Sequence, residues 1–238
     1  KEKYLNYATI LDQITKYRSD IETIEIYPSF RENGYESFSL QLQKAKEIAA
    51  QNNATFSYMY WTDPDMTQHE FGVNSEETRV VMEQLNKDFT DFITCLNEES
   101  IVIVTADHGL IDVESVFLLE YPQLVECFRI NPSVEPRATV FYIKEECKQQ
   151  FENLFYHHFE RKDFCLLTKD ELLAMHYLGE GIPHPMIENF VGDYMAIATD
   201  SKMFSLHPDS FFKAHHAGLT TCEMLVPLII YKKEKQLD

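Results

Sequence analysis

The segment Ile101–Thr105 limits the fold of this chain more than any other. All of its residues are β-branched, and such a continuous run is typical of a strand buried on both faces of a parallel sheet. Parallel strands need long crossover connections, which are usually helices, so the segment predicts an α/β protein. Sheets of this kind bind ligands at the carboxyl ends of their strands. Asp107 and His108 follow the segment directly, and we therefore expect a functional site here.

A predicted strand, helix, strand unit leads into this segment. Residues 55–60 predict a strand, and Asn74 or Ser75 can cap a helix that extends to about Leu96. Apolar residues recur in this helix at the three- and four-residue spacing of a buried face: Val81, Leu85, Phe89, Phe92 and Leu96. A right-handed crossover of this kind brings Asp65 and Asp107 to one edge of the sheet.

Three separated motifs contain side chains that bind divalent metals. They are Asp65 with His69, Asp107 with His108, and His215 with His216. The first pair has the four-residue spacing that places both side chains on one face of a helix. Each motif alone has an ordinary explanation, namely a solvated helix face, a turn or a surface pair. Their joint occurrence favours a metal site, and oxygen and imidazole ligands without thiolates suit zinc, with manganese or iron as substitutes.

The order of these motifs resembles the alkaline phosphatase superfamily, in its type I phosphodiesterase/nucleotide pyrophosphatase branch. The elements that carry the resemblance are D-x-x-x-H-x-x-G, then D-H-G, then H-x-G-L followed by E-M-x-V-P-L, between about Tyr58 and Tyr231. The late histidine of this pattern is His216 in preference to His215, because the family's histidine precedes a small residue and then Gly-Leu.

The resemblance implies two divalent metal ions, most often zinc. One would be bound by Asp65, His69 and His216. The other would be bound by Asp107 and His108, together with an Asp and a nucleophilic Thr or Ser nearer the amino terminus. These five residues are the metal ligands that we predict.

The nucleophile that the resemblance implies cannot be identified before Asp65. Ser29 has the nearest setting, after the apolar-rich residues 24–27, but Pro28 and the polar residues that follow it predict a loop. No Thr or Ser in this part of the chain follows a predicted strand that ends in Asp and leads into a helix. We therefore expect the chain to be the carboxyl-terminal part of a longer enzyme. We expect it to bind the second metal weakly and to lack catalytic activity by itself.

The expected fold is α/β: a three-layer α/β/α sandwich with a mostly parallel central sheet and a small inserted α+β cap. Residues 1–111 and 194–238 are assigned to the core, and residues 112–193 to the cap. The cap is distinguished by its own pattern of predicted elements, namely a strand at 138–143, a helix at 145–158 and a strand at 164–167. Arg137, at the end of a loop, either meets a substrate anion or is a surface residue of a structural turn.

A capping box is predicted at the end of the last of these strands. Thr168 and Glu171 have the spacing at which each side chain can accept a hydrogen bond from the other residue's main chain. We therefore expect a helix to begin after Thr168.

Composition restricts the partners of the chain. Its 238 residues include 21 basic and 39 acidic side chains, a formal net charge of −18, which repels nucleic acids and anionic membrane surfaces. No apolar run approaches the ~20 residues of a membrane-spanning helix. The five cysteines are odd in number and lack CxxC spacing, which favours reduced thiols and a cytoplasmic location. We expect no nucleic-acid or membrane partner, and the oligomeric state stays open.

The predicted function is hydrolysis of phosphoric ester or phosphoanhydride bonds in a small phosphate ester or a nucleotide. In the intact protein, a metal-activated hydroxyl would attack phosphorus in line and form a covalent phospho-enzyme. One alternative is another activity of the superfamily, such as a phosphomutase or a phosphonate or sulfate ester hydrolase. A second alternative is a non-catalytic, metal-stabilised binding module.

Overall fold

The computed structural model describes residues 7–51, 53–97, 99–208 and 212–233. They form two compact units. The first unit comprises described residues from 1–64, 79–104 and 228–238, and the second comprises those from 65–78 and 105–227. No helix within the described ranges is both long and apolar enough to span a membrane.

Helices and strands alternate along most of the described chain, which confirms the predicted α/β class. The α-helices are α1 Ile10–Tyr17, α2 Phe38–Ala49, α3 Asp65–Phe71, α4 Glu76–Thr94, α5 Pro122–Val125, α6 Lys148–His158, α7 Lys169–Ala174, α8 Ile187–Phe190 and α9 Thr221–Met224. The strands are β1 Glu22–Ile26, β2 Thr55–Met59, β3 Ile101–Thr105, β4 Ile111–Asp112, β5 Glu114–Phe117, β6 Phe128–Glu135, β7 Ala138–Ile143, β8 Phe164–Thr168, β9 Tyr194–Ala198, β10 Lys202–Ser205, β11 Ala214–His215 and β12 Leu228–Lys232. Short 3-10 turns lie at Leu118–Glu120 and Glu145–Cys147.

In the first unit, β1 and β2 pair in parallel, with Glu22 opposite Thr55 and Ile26 opposite Met59. The helix α2 begins after Ser37, whose hydroxyl accepts a hydrogen bond from the Leu40 main chain at 3.2 Å. A small apolar core joins α2 to the predicted buried face of α4 and the residues after it. Its buried members are Leu42, Phe92 and Leu96. The predicted apolar helix face is therefore confirmed at its carboxyl-terminal end.

The strand β3 has the predicted bounds but not the predicted burial. Its residues alternate between exposed and half-buried, and Ile101 and Ile103 are 58% and 63% exposed. Among the described residues, β3 and its partner β12 form a two-stranded sheet, and Leu228 and Ile230 of β12 are also exposed. The prediction of burial on both faces is wrong for these residues, since the face of β3 that carries Ile101 and Ile103 is open to solvent.

The other strands of the predicted central sheet are also found as pairs within the described residues. The pairs β1 with β2 and β5 with β10 are parallel, and β4 with β11 is antiparallel. The order of four further strands is β6, β7, β9, β8, and all three pairings in this sheet are antiparallel.

The strand β9 begins at Tyr194, directly after the predicted cap range 112–193. It pairs with β7 and β8, which both lie within that range. The assignment of 112–193 as an inserted cap stays a prediction.

An aromatic core supports the four-stranded sheet of the second unit. Helix α6 contributes Phe151 and Phe155, both fully buried, and β8 contributes Phe164. The Phe164 ring stacks on Phe204 with a centroid distance of 4.2 Å. The predicted capping box is present, because Thr168 and Glu171 accept hydrogen bonds from each other's main chain at the start of α7.

Arg137 is fully buried at the turn between β6 and β7, where its guanidinium contacts the Glu223 carboxylate. The predicted turn is confirmed, but the predicted surface position of Arg137 is wrong. A direct contact with a substrate anion is also wrong, because the guanidinium has no exposed surface.

We expect Phe155→Ala to destabilise the second unit strongly. The ring lies within 6.2 Å of the ring centroids of Phe151 and Phe164, and its removal would leave a cavity in a closely packed core. Such a truncation typically lowers the free energy of unfolding by about 3–5 kcal/mol. Urea denaturation followed by circular dichroism measures the change. The matched control is Phe190→Ala, whose ring is exposed, and for which we expect a change within about 0.5 kcal/mol. Equal effects of the two substitutions would contradict this view of the core.

Candidate metal centre

Helix α3 begins at Asp65 and carries the first predicted ligand pair. Its four-residue spacing brings His69 Nε2 to 3.3 Å from Asp65 Oδ1. Two hydrogen bonds attach the helix to β11 and to the residue before it. Lys213 N–H donates to the His69 main-chain oxygen, and His69 Nδ1 lies 2.8 Å from the Ala214 oxygen.

The contact with Ala214 determines which nitrogen of His69 can bind a metal. A main-chain oxygen can only accept, so His69 Nδ1 must carry the proton and Nε2 keeps its lone pair. The nitrogen with the free lone pair, Nε2, is therefore the one that faces Asp65 Oδ1. Orientation of a ligand histidine by a carbonyl oxygen on its other nitrogen is common in metal sites.

Asp65 provides a direct test of whether a metal fits. Its Oδ1 atom is buried and has no hydrogen-bond partner among the described residues. An unpaired buried carboxylate oxygen is costly, and a bound cation would remove that cost. The side chains around it offer oxygen and imidazole donors, which zinc, manganese and iron accept. The site therefore fits a divalent transition metal.

The second ligand pair lies in the loop 106–110, which we call the Asp-His loop. His108 Nε2 is 3.8 Å from Asp107 Oδ1, and its Nδ1 faces the Gly109 oxygen at 3.2 Å. The loop is anchored by a hydrogen bond from Gly109 N–H to the Glu223 main-chain oxygen, at 2.9 Å. His108 is partly buried, whereas the Asp107 side chain is 70% exposed.

His216 brings the two ligand pairs together. Its ring stacks on His108 with a centroid distance of 3.8 Å and meets the edge of His69 at 5.2 Å. Ligand atoms of Asp65, His108 and His216 all lie within 4.8 Å of one another. Burial lowers the pKa of His216, so that its imidazole is neutral and able to bind a metal near pH 7.

The group of Asp65, His108 and His216 combines residues that the sequence prediction divided between two ions. Asp65 and His216 were assigned to one ion and His108 to the other. Ligands of two adjacent ions are expected to meet in this way when the ions are about 4 Å apart. The structure brings Asp65, His108 and His216 together, His69 lies beside the first and the last of them, and Asp107 is next to His108 with its side chain largely exposed. Metal binding by the five residues, and their division between two ions, stay predictions.

His215 is the alternative to His216 that the sequence left open. It is buried in β11, and desolvation lowers its pKa to about 4, so the ring is neutral. Its Nδ1 faces the His216 main chain, with the amide nitrogen at 2.9 Å and the carbonyl oxygen at 3.2 Å. The shorter contact assigns Nδ1 as the acceptor, which leaves the proton on Nε2. The geometry thus favours His216 as a ligand and His215 as a support for its main chain.

A second group of candidate ligands, Glu135, His215 and His216, also has ligand atoms within 4.8 Å of one another. In the assigned tautomer His215 has no free lone pair for this group, because Nδ1 accepts from the His216 amide and Nε2 carries the proton. We therefore regard the group containing Asp65 as the better metal site.

Ser29 is the residue whose sequence setting is nearest to that of a nucleophile. It lies in an exposed turn of the first unit, whereas all five predicted ligands belong to the second.

The sequence analysis did not predict the contact between Arg137 and Glu223, which lies beside the candidate ligands. The spacing of Thr220 and Glu223 is that of a capping box, which the structure contains at α9, and this signal could have drawn attention to Glu223.

Comparisons with known proteins address the family and the fold of this chain. The sequence model of the family described as type I phosphodiesterase / nucleotide pyrophosphatase matches residues 3–209. No curated protein matched the sequence.

Solved structures show the same fold at low identity. Murine ectonucleotide pyrophosphatase / phosphodiesterase 5, as an inactive variant in complex with AMP, is 17% identical, with a TM-score of 0.68. The human protein is 16% identical, with the same TM-score. In both comparisons, 92% of this chain aligns with 62% of the solved chain, so this chain spans less than two thirds of the length of those proteins. Since the family model covers most of the sequence, the chain belongs to the type I phosphodiesterase/nucleotide pyrophosphatase family.

Proposed function

We propose that this chain forms the metal-binding part of a metal-dependent phosphodiesterase or nucleotide pyrophosphatase. The observation that supports the proposal best is the convergence of Asp65, His108 and His216, whose ligand atoms lie within 4.8 Å of one another. These residues come from three distant parts of the sequence. Family membership supports hydrolysis of phosphoester bonds as the general reaction.

Two divalent ions would be held by the cluster, most often zinc, with manganese or iron as alternatives. Asp65, His69 and His216 would bind one ion, and Asp107 and His108 would contribute to the other. When bound, such ions lower the pKa of an attacking hydroxyl and stabilise negative charge on a phosphate ester. His69 is oriented for this role by the Ala214 oxygen at 2.8 Å, and Asp65 by its position at the start of α3.

The substrate class that we propose is a small phosphate ester or a nucleotide. The murine structural neighbour was crystallised with AMP, which supports a nucleotide. The net charge of −18 opposes binding of any anion, so the cations of the site would have to provide the local attraction. The expected cytoplasmic location stays a prediction.

A second candidate is a non-catalytic, metal-stabilised binding module. The observation that favours it is that no nucleophile has been assigned near the ligand cluster. Both candidates require metal binding, and only the first requires turnover in the whole protein. Other reactions of the superfamily share the same ligands and would be separated by a panel of phosphate, phosphonate and sulfate esters.

We expect Asp65→Asn and His216→Ala each to weaken zinc binding by more than about 10-fold. Loss of a residue that only hydrogen-bonds to a metal ligand typically lowers metal affinity by about 10- to 100-fold. Asp65 and His216 are direct ligands in the proposal, so their loss should cost more. Competition with a chromophoric chelator measures the affinity, and mass spectrometry of the metal measures the stoichiometry. The matched control is His176→Ala, an exposed histidine that should leave both unchanged. Unaltered affinity in both ligand variants would remove the basis for this site.

We expect His216→Ala to weaken zinc binding more than His215→Ala. His215 acts on the site through the main chain of its neighbour, at 2.9 Å, whereas His216 presents its own imidazole to the cluster. The same chelator competition compares the two variants. The opposite order would identify His215 as the ligand.

We expect no hydrolysis of a nitrophenyl phosphodiester by this chain at saturating zinc. The nucleophile implied by the family is not assigned to any of its residues, and metal ligands alone do not form the covalent intermediate. Release of nitrophenol is followed by absorbance, with Asp107→Asn as the reference. Clear turnover that is lost in Asp107→Asn would show that these residues include the nucleophile.

A further inference from the structure

Glu223 contacts both loops that carry ligands of the second unit. Its main-chain oxygen accepts a hydrogen bond from Gly109 in the Asp-His loop, at 2.9 Å. Its carboxylate accepts from Gly218 N–H at 2.8 Å and from the Thr220 hydroxyl at 2.6 Å. These two donors belong to residues 216–220, which we call the late-His loop. One residue therefore bridges the loop of His108 and the loop of His216.

Arg137 holds this carboxylate in a single orientation. Its Nε and Nη2 atoms donate to the two carboxylate oxygens at 2.6 and 2.7 Å, and its Nη1 donates to the Lys202 oxygen at 2.8 Å. Both side chains are almost completely buried, at 0% and 3% exposure. A bidentate pair of this kind fixes the plane of the carboxylate as well as its position.

The charge of Glu223 is maintained by its hydrogen bonds. Burial raises the pKa of Glu223, but the hydrogen bonds from Arg137, Thr220 and Gly218 lower it by more, and the pKa lies below its usual value. The carboxylate is therefore ionised at neutral pH. Buried ion pairs are often no more stabilising than apolar residues of similar size. The pair is better explained by the geometry that it imposes than by stability.

The two loops approach α9 and the ion pair so closely that only glycine fits at the contact points. A Cβ atom on Gly109 would lie 1.9 Å from the Cys222 oxygen. On Gly218 it would lie 2.6 Å from Arg137 Nη2 and 2.7 Å from Glu223 Oε2. The contacts are thus direct, and they leave little freedom in the distance between the two loops.

The late-His loop also contains backbone strain next to the ligand. Ala217 has a φ of 80°, in the left-handed region that a residue with a Cβ seldom adopts. Such strain persists only where surrounding contacts hold the chain in place, and it is concentrated at functional sites. Gly218 N–H, bound to Glu223, provides one such contact directly after Ala217.

We propose that Glu223, oriented by Arg137, is a positioning residue that sets the spacing between His108 and His216. The proposal rests on the proposed metal-binding function. Gly109 follows His108 directly and Gly218 lies two residues after His216, so Glu223 holds both histidines through short stretches of main chain. The stacked rings, 3.8 Å apart, are the result of that spacing.

The first test is Glu223→Gln, which keeps the size of the side chain. Each carboxylate oxygen accepts from Arg137 and from the late-His loop, so either orientation of the amide turns an N–H₂ group towards donors. We expect zinc affinity to fall by about 10- to 100-fold, as for other groups that orient metal ligands. The absorption bands of the cobalt-substituted chain should shift, because they report ligand geometry. The control is Glu152→Gln, in an exposed pair with Arg161.

A second variant separates positioning from stability. Arg137→Met with Glu223→Met removes both buried charges and retains their volume, so its unfolding midpoint should recover relative to Glu223→Gln. We expect its zinc affinity to stay low. Full recovery of zinc affinity together with stability would assign the pair a merely structural role and overturn the proposal. Arg137→Lys, which keeps the charge but loses the bidentate geometry, should give an intermediate affinity.

The outcomes distinguish this inference from the proposed function. If the unaltered chain binds zinc and Glu223→Gln binds it equally well with the same cobalt spectrum, the positioning role is wrong and the metal site stands. If the unaltered chain binds none of zinc, manganese and iron, both proposals are wrong.

Discussion

The buried ion pair of Arg137 and Glu223 is the interaction around which the candidate ligands on the two loops of the second unit are arranged. It joins the β6–β7 turn to α9 and, through Glu223, to both ligand-bearing loops. A charge buried in this way is tolerated only when its hydrogen-bonding capacity is filled, and each carboxylate oxygen here accepts from Arg137 and from the late-His loop. The pair therefore makes the position of these loops a requirement of folding.

Main-chain contacts prepare the ligands in the same way. The Ala214 oxygen assigns the proton of His69 to Nδ1, and the main chain of His216 contacts Nδ1 of His215. Burial lowers the pKa of His216 and keeps the imidazole neutral. The unpaired Oδ1 of Asp65 lies within this arrangement and supplies the negative charge that a divalent ion needs. These contacts within the protein fix the orientation of the candidate donors, as the proposed metal site requires.

Much of the local structure could be predicted from the sequence because it depends on neighbouring residues. The β-branched run at β3, the apolar face of α4 and the capping box at α7 were recognisable for this reason. The burial of β3 could not be predicted in the same way, because the exposure of its side chains depends on which distant elements pack against the faces of the sheet. Ile101 and Ile103 are exposed although their run is typical of a buried strand.

The sequence by itself determined the family and the α/β class, since these follow from residue types and spacing along the chain, and the same spacing predicts the five metal ligands. Only the tertiary structure decided that Arg137 is buried against Glu223, and that His216 presents its ring to the cluster while His215 supports its main chain. The partners in the ion pair are separated by 86 residues. No local pattern encodes such a contact, because it arises only when the folded chain brings distant segments together and must compensate the charges that it buries.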